Sequence, residues 1–102
     1  MVKDIIDIKI RCYKFSVEII KYLNTLDIKK INYPLIDQLF RSSTSIGANI
    51  VEAKSGSSKK DFINYYQIAL KSSNETKYWF CLLRDALEFD KIKINSFLEE
   101  LK

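Results

Sequence analysis

The chain has no histidine, only two glycines, one proline and two cysteines among its 102 residues. Without histidine there is no Ser-His or Cys-His nucleophile pair, no imidazole metal ligand and no side chain whose ordinary pKa lies near neutrality. Most hydrolytic chemistry is thereby excluded. Scarce Gly and Pro leave few turn formers, which favours long helices with short connections over strands and turns. Neither Gly47 nor Gly56 belongs to a GxxxxGK phosphate loop. Cys12 and Cys81 are far apart, at positions that helical periodicity buries, and read as free thiols in a reducing compartment. No segment approaches the ~18 consecutive apolar residues of a membrane span, and no apolar signal core opens the chain. The expected location is cytoplasmic, without a membrane partner.

What the chain does have is enough apolar content to build a core, 47% hydrophobic against 29% charged residues. At this length that predicts one domain over residues 1–102. The formal charge is +4, and the excess is uneven: residues 1–60 carry eleven Lys/Arg against six Asp/Glu, residues 61–102 six against seven. A modest excess of this kind attracts phosphates without reading sequence.

Apolar residues recur three and four apart at Ile5, Ile8, Cys12, Phe15, Ile19, Tyr22 and Leu26, predicting a first helix from Lys3 to about Leu26. Ile6, Ile10, Val17, Ile20 and Leu23 widen the stripe beyond what one neighbouring helix covers, so this helix should touch two neighbours or another subunit. Pro34 suits the first turn of a second helix, whose inward face reads Leu35, Leu39, Ser42, Ile46, Ile50 and Ala53, with Gly56 as its stop. Ser58 and Asp61 resemble a capping box, starting a third helix near Lys59 that runs to about Glu88. Its seam of Phe62, Tyr66, Ala69, Ser73, Thr76, Phe80, Leu83 and Leu87 is large at the ends and small in the middle, allowing a crossing helix to come close. Asp90 to Lys93 reads as a turn, and Phe97, Leu98 and Leu101 open a short fourth helix. The fold expected is all-α, an antiparallel up-down four-helix bundle with a short fourth helix, either open on one side or covered by another copy.

Three groups of residues are candidates for function. Asn49, Glu52 and Glu75, with Arg41, are read as a polar network between helices two and three, the carboxylates paired with Arg41 or capped by the hydroxyls of Ser45, Ser72 and Ser73, since a buried charge persists only when paired and hydrogen-bonded. Lys54, Lys59 and Lys60 bracket the connection between those helices and, with Arg41, are the candidate nucleic-acid contacts. Tyr65, Tyr78 and Trp79 circle helix three and are candidates for a subunit interface, because amphipathic aromatics suit such surfaces. No residues suggest a catalytic centre, a metal site or a cofactor. Glu52 and Glu75 alone, without Glu-x-x-His motifs, do not make a bundle di-metal site. A non-enzymatic role is expected.

Asp37-Gln38-Leu39-Phe40-Arg41-Ser42-Ser43-Thr44-Ser45-Ile46-Gly47-Ala48-Asn49-Ile50-Val51-Glu52-Ala53, then Ser58-Lys59-Lys60-Asp61-Phe62 and Ile68-Ala69-Leu70-Lys71-Ser72-Ser73-Asn74-Glu75-Thr76, resembles the four-helix-bundle proteins encoded within bacterial ribosomal-RNA intervening sequences. The accessory variability proteins of diversity-generating retroelements are similar. The resemblance covers roughly residues 3–90 and implies a ring-like homopentamer whose basic surface meets nucleic acid. It places Asn49, Glu52, Glu75 and Arg41 at motif positions. Gly47 stands where many members have Pro, Ala53-Lys54 where Glu-Gly is usual, and the fourth helix is shorter than the family's. Two functions follow as expectations: a self-assembling binding module for RNA or other nucleic acid, or a protein-protein adaptor for a mobile-element protein such as a reverse transcriptase.

Overall fold

The computed structural model describes residues 2–55 and 58–101, with side chains placed from residue 8 onward. Four α-helices follow one another: α1 Val2–Asn24, α2 Tyr33–Ser55, α3 Lys59–Asp85 and α4 Lys91–Glu100, with a single 3-10 turn at Lys30–Asn32 leading into α2. No strand occurs among the described residues. The helices run up and down in turn, α2 packing most extensively on α3, as the short connections require. The bundle is elongated, 44 × 22 × 19 Å.

The boundaries follow local chemistry. Ser58 takes extended backbone and its side chain accepts the Asp61 amide at 3.1 Å, so α3 starts at Lys59, where the sequence places it. The Gly56 stop and the Ile5 and Ile6 side chains of the first seam lie outside the described residues. Helix α3 ends at Asp85, three residues before the expected end, and Glu88 adopts a left-handed backbone with φ 59° in the connection. The expected turn at Asp90–Lys93 is corrected to the first turn of α4. Asp90 is its cap, one carboxylate oxygen accepting the amides of Ile92 and Lys93 at 3.0 and 3.2 Å.

The core draws on all four helices. Ile19, Tyr22 and Leu23 of α1, Leu39 of α2, Phe80 and Leu83 of α3, and Ile94 and Phe97 of α4 form one buried cluster. Phe97 is its hub, stacked on Phe80 with centroids 5.1 Å apart and meeting Phe15 and Tyr22 edge-on at 5.9 and 5.5 Å. At a rise of about 1.5 Å per residue, α4 is about 15 Å long against about 40 Å for α3, so it shields one end of the bundle. Beyond it lies a cavity of ≈ 200 Å³, bordered by Ile8, Cys12, Ile50, Tyr66, Leu70 and Leu101. Arg11 ties that end of α4 to α1, its Nε donating to the Glu100 carboxylate and its second guanidinium nitrogen to the Glu100 carbonyl at 3.0 Å. This contact raises the Arg11 pKa further and keeps the guanidinium charged.

A left-handed backbone disfavours any residue with a Cβ, so Glu88→Gly should stabilise the protein by about 0.5–1 kcal/mol. Thermal unfolding checks this: the melting temperature should rise by a few degrees, and a fall would show that Glu88 makes a contact worth more than the strain.

Candidate nucleic-acid and assembly surfaces

The α2–α3 contact is made by small residues, and its polar groups are hydroxyls. Ser42 and Ser43 of α2 and Ser72 and Thr76 of α3 are buried. Thr76 donates to the Ser72 carbonyl at 2.7 Å and shares a 2.9 Å hydrogen bond with the Ser42 hydroxyl; Ser72 donates to Ser45 Oγ at 3.0 Å. Asn49 joins from the side, its amide donating to the Ser45 carbonyl and hydroxyl at 2.8 and 2.9 Å. The network expected here therefore exists through Asn49, Ser45 and Ser72, joined by Ser42 and Thr76, and without the carboxylates. Glu52 and Glu75 are both exposed. Each is adjacent in sequence to a buried residue, Ala53 and Thr76, and one helical step of about 100° turns it away from the contact. Arg41 is also exposed and pairs with Asp37 one turn earlier at 3.0 Å, so it does not join Asn49 either.

Lys54, Lys59 and Lys60 are exposed at the adjoining ends of α2 and α3. The start of α3, with its aligned peptide dipoles, adds partial positive charge beside them. Arg41 lies thirteen residues before Lys54, about 20 Å down α2, and is not part of that group.

The three aromatic interface candidates separate. Tyr65 is half-buried, and Trp79 packs against the core cluster with its ring edge-on to Tyr78 at 5.1 Å. Tyr78 is 59% exposed, and on the outer side of α3 it accompanies Leu70 at 54% and Ile63 at 45%. The apolar surface left open on α3 is thus partly aliphatic, which aromatic content alone did not single out.

A second open surface was not among the candidates. Between α1 and α2 runs a trough of ≈ 710 Å³ with Ile10, Gly47 and Val51 in its lining, Tyr13 on α1, and Lys9 and Lys54 on opposite helices. It follows from the apolar residues of α1 outside its main seam: Ile10 and Tyr13 share a face turned away from Ile19 and Tyr22, and no helix among the described residues covers it. Tyr13 is 71% exposed. Gly47 faces α1 in this contact, where a Cβ built on it would lie 3.4 Å from the Cys12 Cβ.

Chemically the described surfaces bind better than they react. Burial pushes the Cys12 thiol above its usual pKa, against the thiolate that nucleophilic work needs. No three Cys, Asp or Glu side chains among the described residues converge as a metal site, and no described helix is long and apolar enough to cross a membrane.

The comparisons with known proteins bear on this arrangement. The family model for the 23S rRNA-intervening sequence protein matches residues 6–102. The chain belongs to that family. A crystal structure of a protein of unknown function from the S23 ribosomal protein family of Bacteroides thetaiotaomicron superposes with a TM-score of 0.87 at 35% identity, covering 95% of this chain and 87% of that one. No curated protein matches. Membership agrees with the resemblance carried by the Ser42–Ala53 and Ile68–Thr76 segments, in which the interhelical hydroxyls lie. The family's function is not established, and membership carries no activity to this chain.

The exposed carboxylates and buried hydroxyls make opposite predictions. Glu52→Gln and Glu75→Gln should each change stability by less than about 0.5 kcal/mol. Thr76→Val should cost about 1–2 kcal/mol by removing the interhelical partner of Ser42, whose hydroxyl keeps only the Leu39 carbonyl at 3.3 Å, and adding Ser42→Ala should cost less than the two single effects combined. Urea denaturation of the four variants and the double variant measures this. A large loss in Glu75→Gln, with full additivity at 42 and 76, would reassign the network to the carboxylates.

Proposed function

We propose that this chain is a non-enzymatic, cytoplasmic helical binding module that assembles with its own copies and meets RNA through the lysines at the α2–α3 junction. The observation that carries this reading is the grouping of Lys54, Lys59 and Lys60, all exposed, at the positive end of a 27-residue helix. Three such charges and one helix dipole are too few for tight binding by one copy. In a closed ring each protomer presents the same group, and the weak patches act together. The apolar side of α3, with Ile63, Leu70 and Tyr78, supplies a surface for that self-association. The five-fold ring implied by the family resemblance is the assembly we expect.

The same α3 surface supports a second reading, an adaptor that docks a mobile-element protein such as a reverse transcriptase. Salt separates the two, because phosphate contacts release counterions and apolar contacts do not.

Replacing Lys54, Lys59 and Lys60 together by Gln should weaken RNA binding and reduce the steepness of the log-affinity against log-salt plot by about 2 for single strands. Fluorescence anisotropy over a salt series reads both values. Unchanged slopes in the triple variant would remove the lysines from the interface, and light scattering that shows a monomer at working concentration would remove the ring.

A further inference from the structure

The trough between α1 and α2 combines features that the lysine group alone lacks. Its lining is mostly apolar, the described residues that line it include no carboxylate, and a lysine stands on each wall, Lys9 on α1 and Lys54 on α2. Tyr13 is placed one helical turn after Lys9, on the same face. At 71% exposed its ring does little for the core, and neither Ile10, 48% exposed, nor Val51, 43% exposed, buries it. An exposed aromatic ring beside an apolar floor, with a lysine on each wall of the trough, has the chemistry of a nucleobase platform: the ring stacks on a base and the lysines meet phosphates of the same strand.

We infer that this trough takes an unpaired nucleotide of a single-stranded RNA, its base stacked on Tyr13 over Ile10 and Val51 and its neighbouring phosphates held by Lys9 and Lys54. Charge decides the occupant. A second copy of the chain docking here would need a carboxylate for each lysine or would leave two cations at the edge of an apolar contact, whereas a nucleic-acid strand brings anions at the spacing of its own backbone. Shape excludes a duplex, whose base faces are stacked away and which offers only phosphates, sugars and groove edges. The inference rests on the RNA reading proposed above and extends it: Lys54 belongs to both surfaces, so a strand crossing the α2–α3 junction continues into the trough.

The test uses the full chain, a fluorescein-labelled 12-nucleotide single-stranded RNA, and the RNA duplex of the same sequence. Tyr13→Ala should weaken single-strand binding about 5- to 100-fold with an unchanged salt slope, while leaving duplex affinity as it was. Tyr13→Phe, which keeps the ring, should restore parental affinity, and Lys9→Gln should weaken binding while flattening the slope. With 4-thiouridine in the strand, crosslinks should fall on the tryptic peptide Cys12–Lys14. If Tyr13→Ala binds like the parent while the triple lysine variant loses affinity, the nucleotide site is wrong and the RNA reading stands. If the parent binds neither RNA at low salt, the RNA reading fails and this site with it. Sedimentation of Tyr13→Ala covers the remaining case: disassembly, with or without lost binding, assigns the trough to a contact between copies and overturns the inference.

Discussion

Hydroxyls on two neighbouring helices meet at 2.9 to 3.0 Å only when the backbones behind them are unusually close, and that closeness holds the long α2–α3 pair together. Ser42, Ser45, Ser72 and Thr76 provide it. Small side chains let the helices approach, and the hydrogen bonds then satisfy polar groups that the approach has removed from water. Leu at these sites would hold the helices apart. Ala would keep them close without fixing how far one slides along the other. The remaining elements take their positions from this pair: α1 lies against α2, with Gly47 allowing its approach beside Cys12, and α4 lies against α3.

The two ends of the bundle differ because of how α4 is held. Near the α3–α4 connection, Phe15, Tyr22, Phe80 and Phe97 form a dense aromatic cluster, and Lys93 lies over the Phe97 ring at 5.1 Å. At its far end α4 stops at Glu100, fastened to Arg11, and beyond it the facing sides of α1, α2 and α3 enclose an unfilled space. The basic residues at the α2–α3 junction and the end of the trough marked by Lys54 belong to this looser half. The proposed binding surfaces and the tightest packing therefore lie at opposite ends.

Much of this was legible in the sequence, for identifiable reasons. The seams of α1, α2 and α3 repeat with helical period over many turns, so Ile19, Leu39, Ile50, Ala69, Phe80 and Leu83 could be placed inside. Ser58 marked the start of α3 by its own capping chemistry. What failed was finer than the period. Glu52 and Glu75 were read as members of a polar network between α2 and α3, but three residues along a helix from Asn49 or Ser72 is 60° short of a full turn, enough to carry a carboxylate to solvent. The start of α4 was missed because Lys91, Ile92 and Lys93 show no periodicity, and only the bonds made by Asp90 define it. The trough was hidden differently. The second stripe on α1 was visible, but whether a helix covers it depends on where α4 goes, and the linear pattern does not contain that.

The placement of Trp79 has a practical corollary. It is the chain's sole tryptophan, and its indole rests on the aromatic end of the core with a buried ring nitrogen that finds no hydrogen-bond partner among the described residues. Intrinsic fluorescence excited at the red edge therefore samples the α3–α4 half alone and is silent about the opposite end. A helical signal summed over the whole backbone samples both. Comparing the two optical readouts during unfolding shows whether the firm and loose halves of this bundle separate as one body or in sequence.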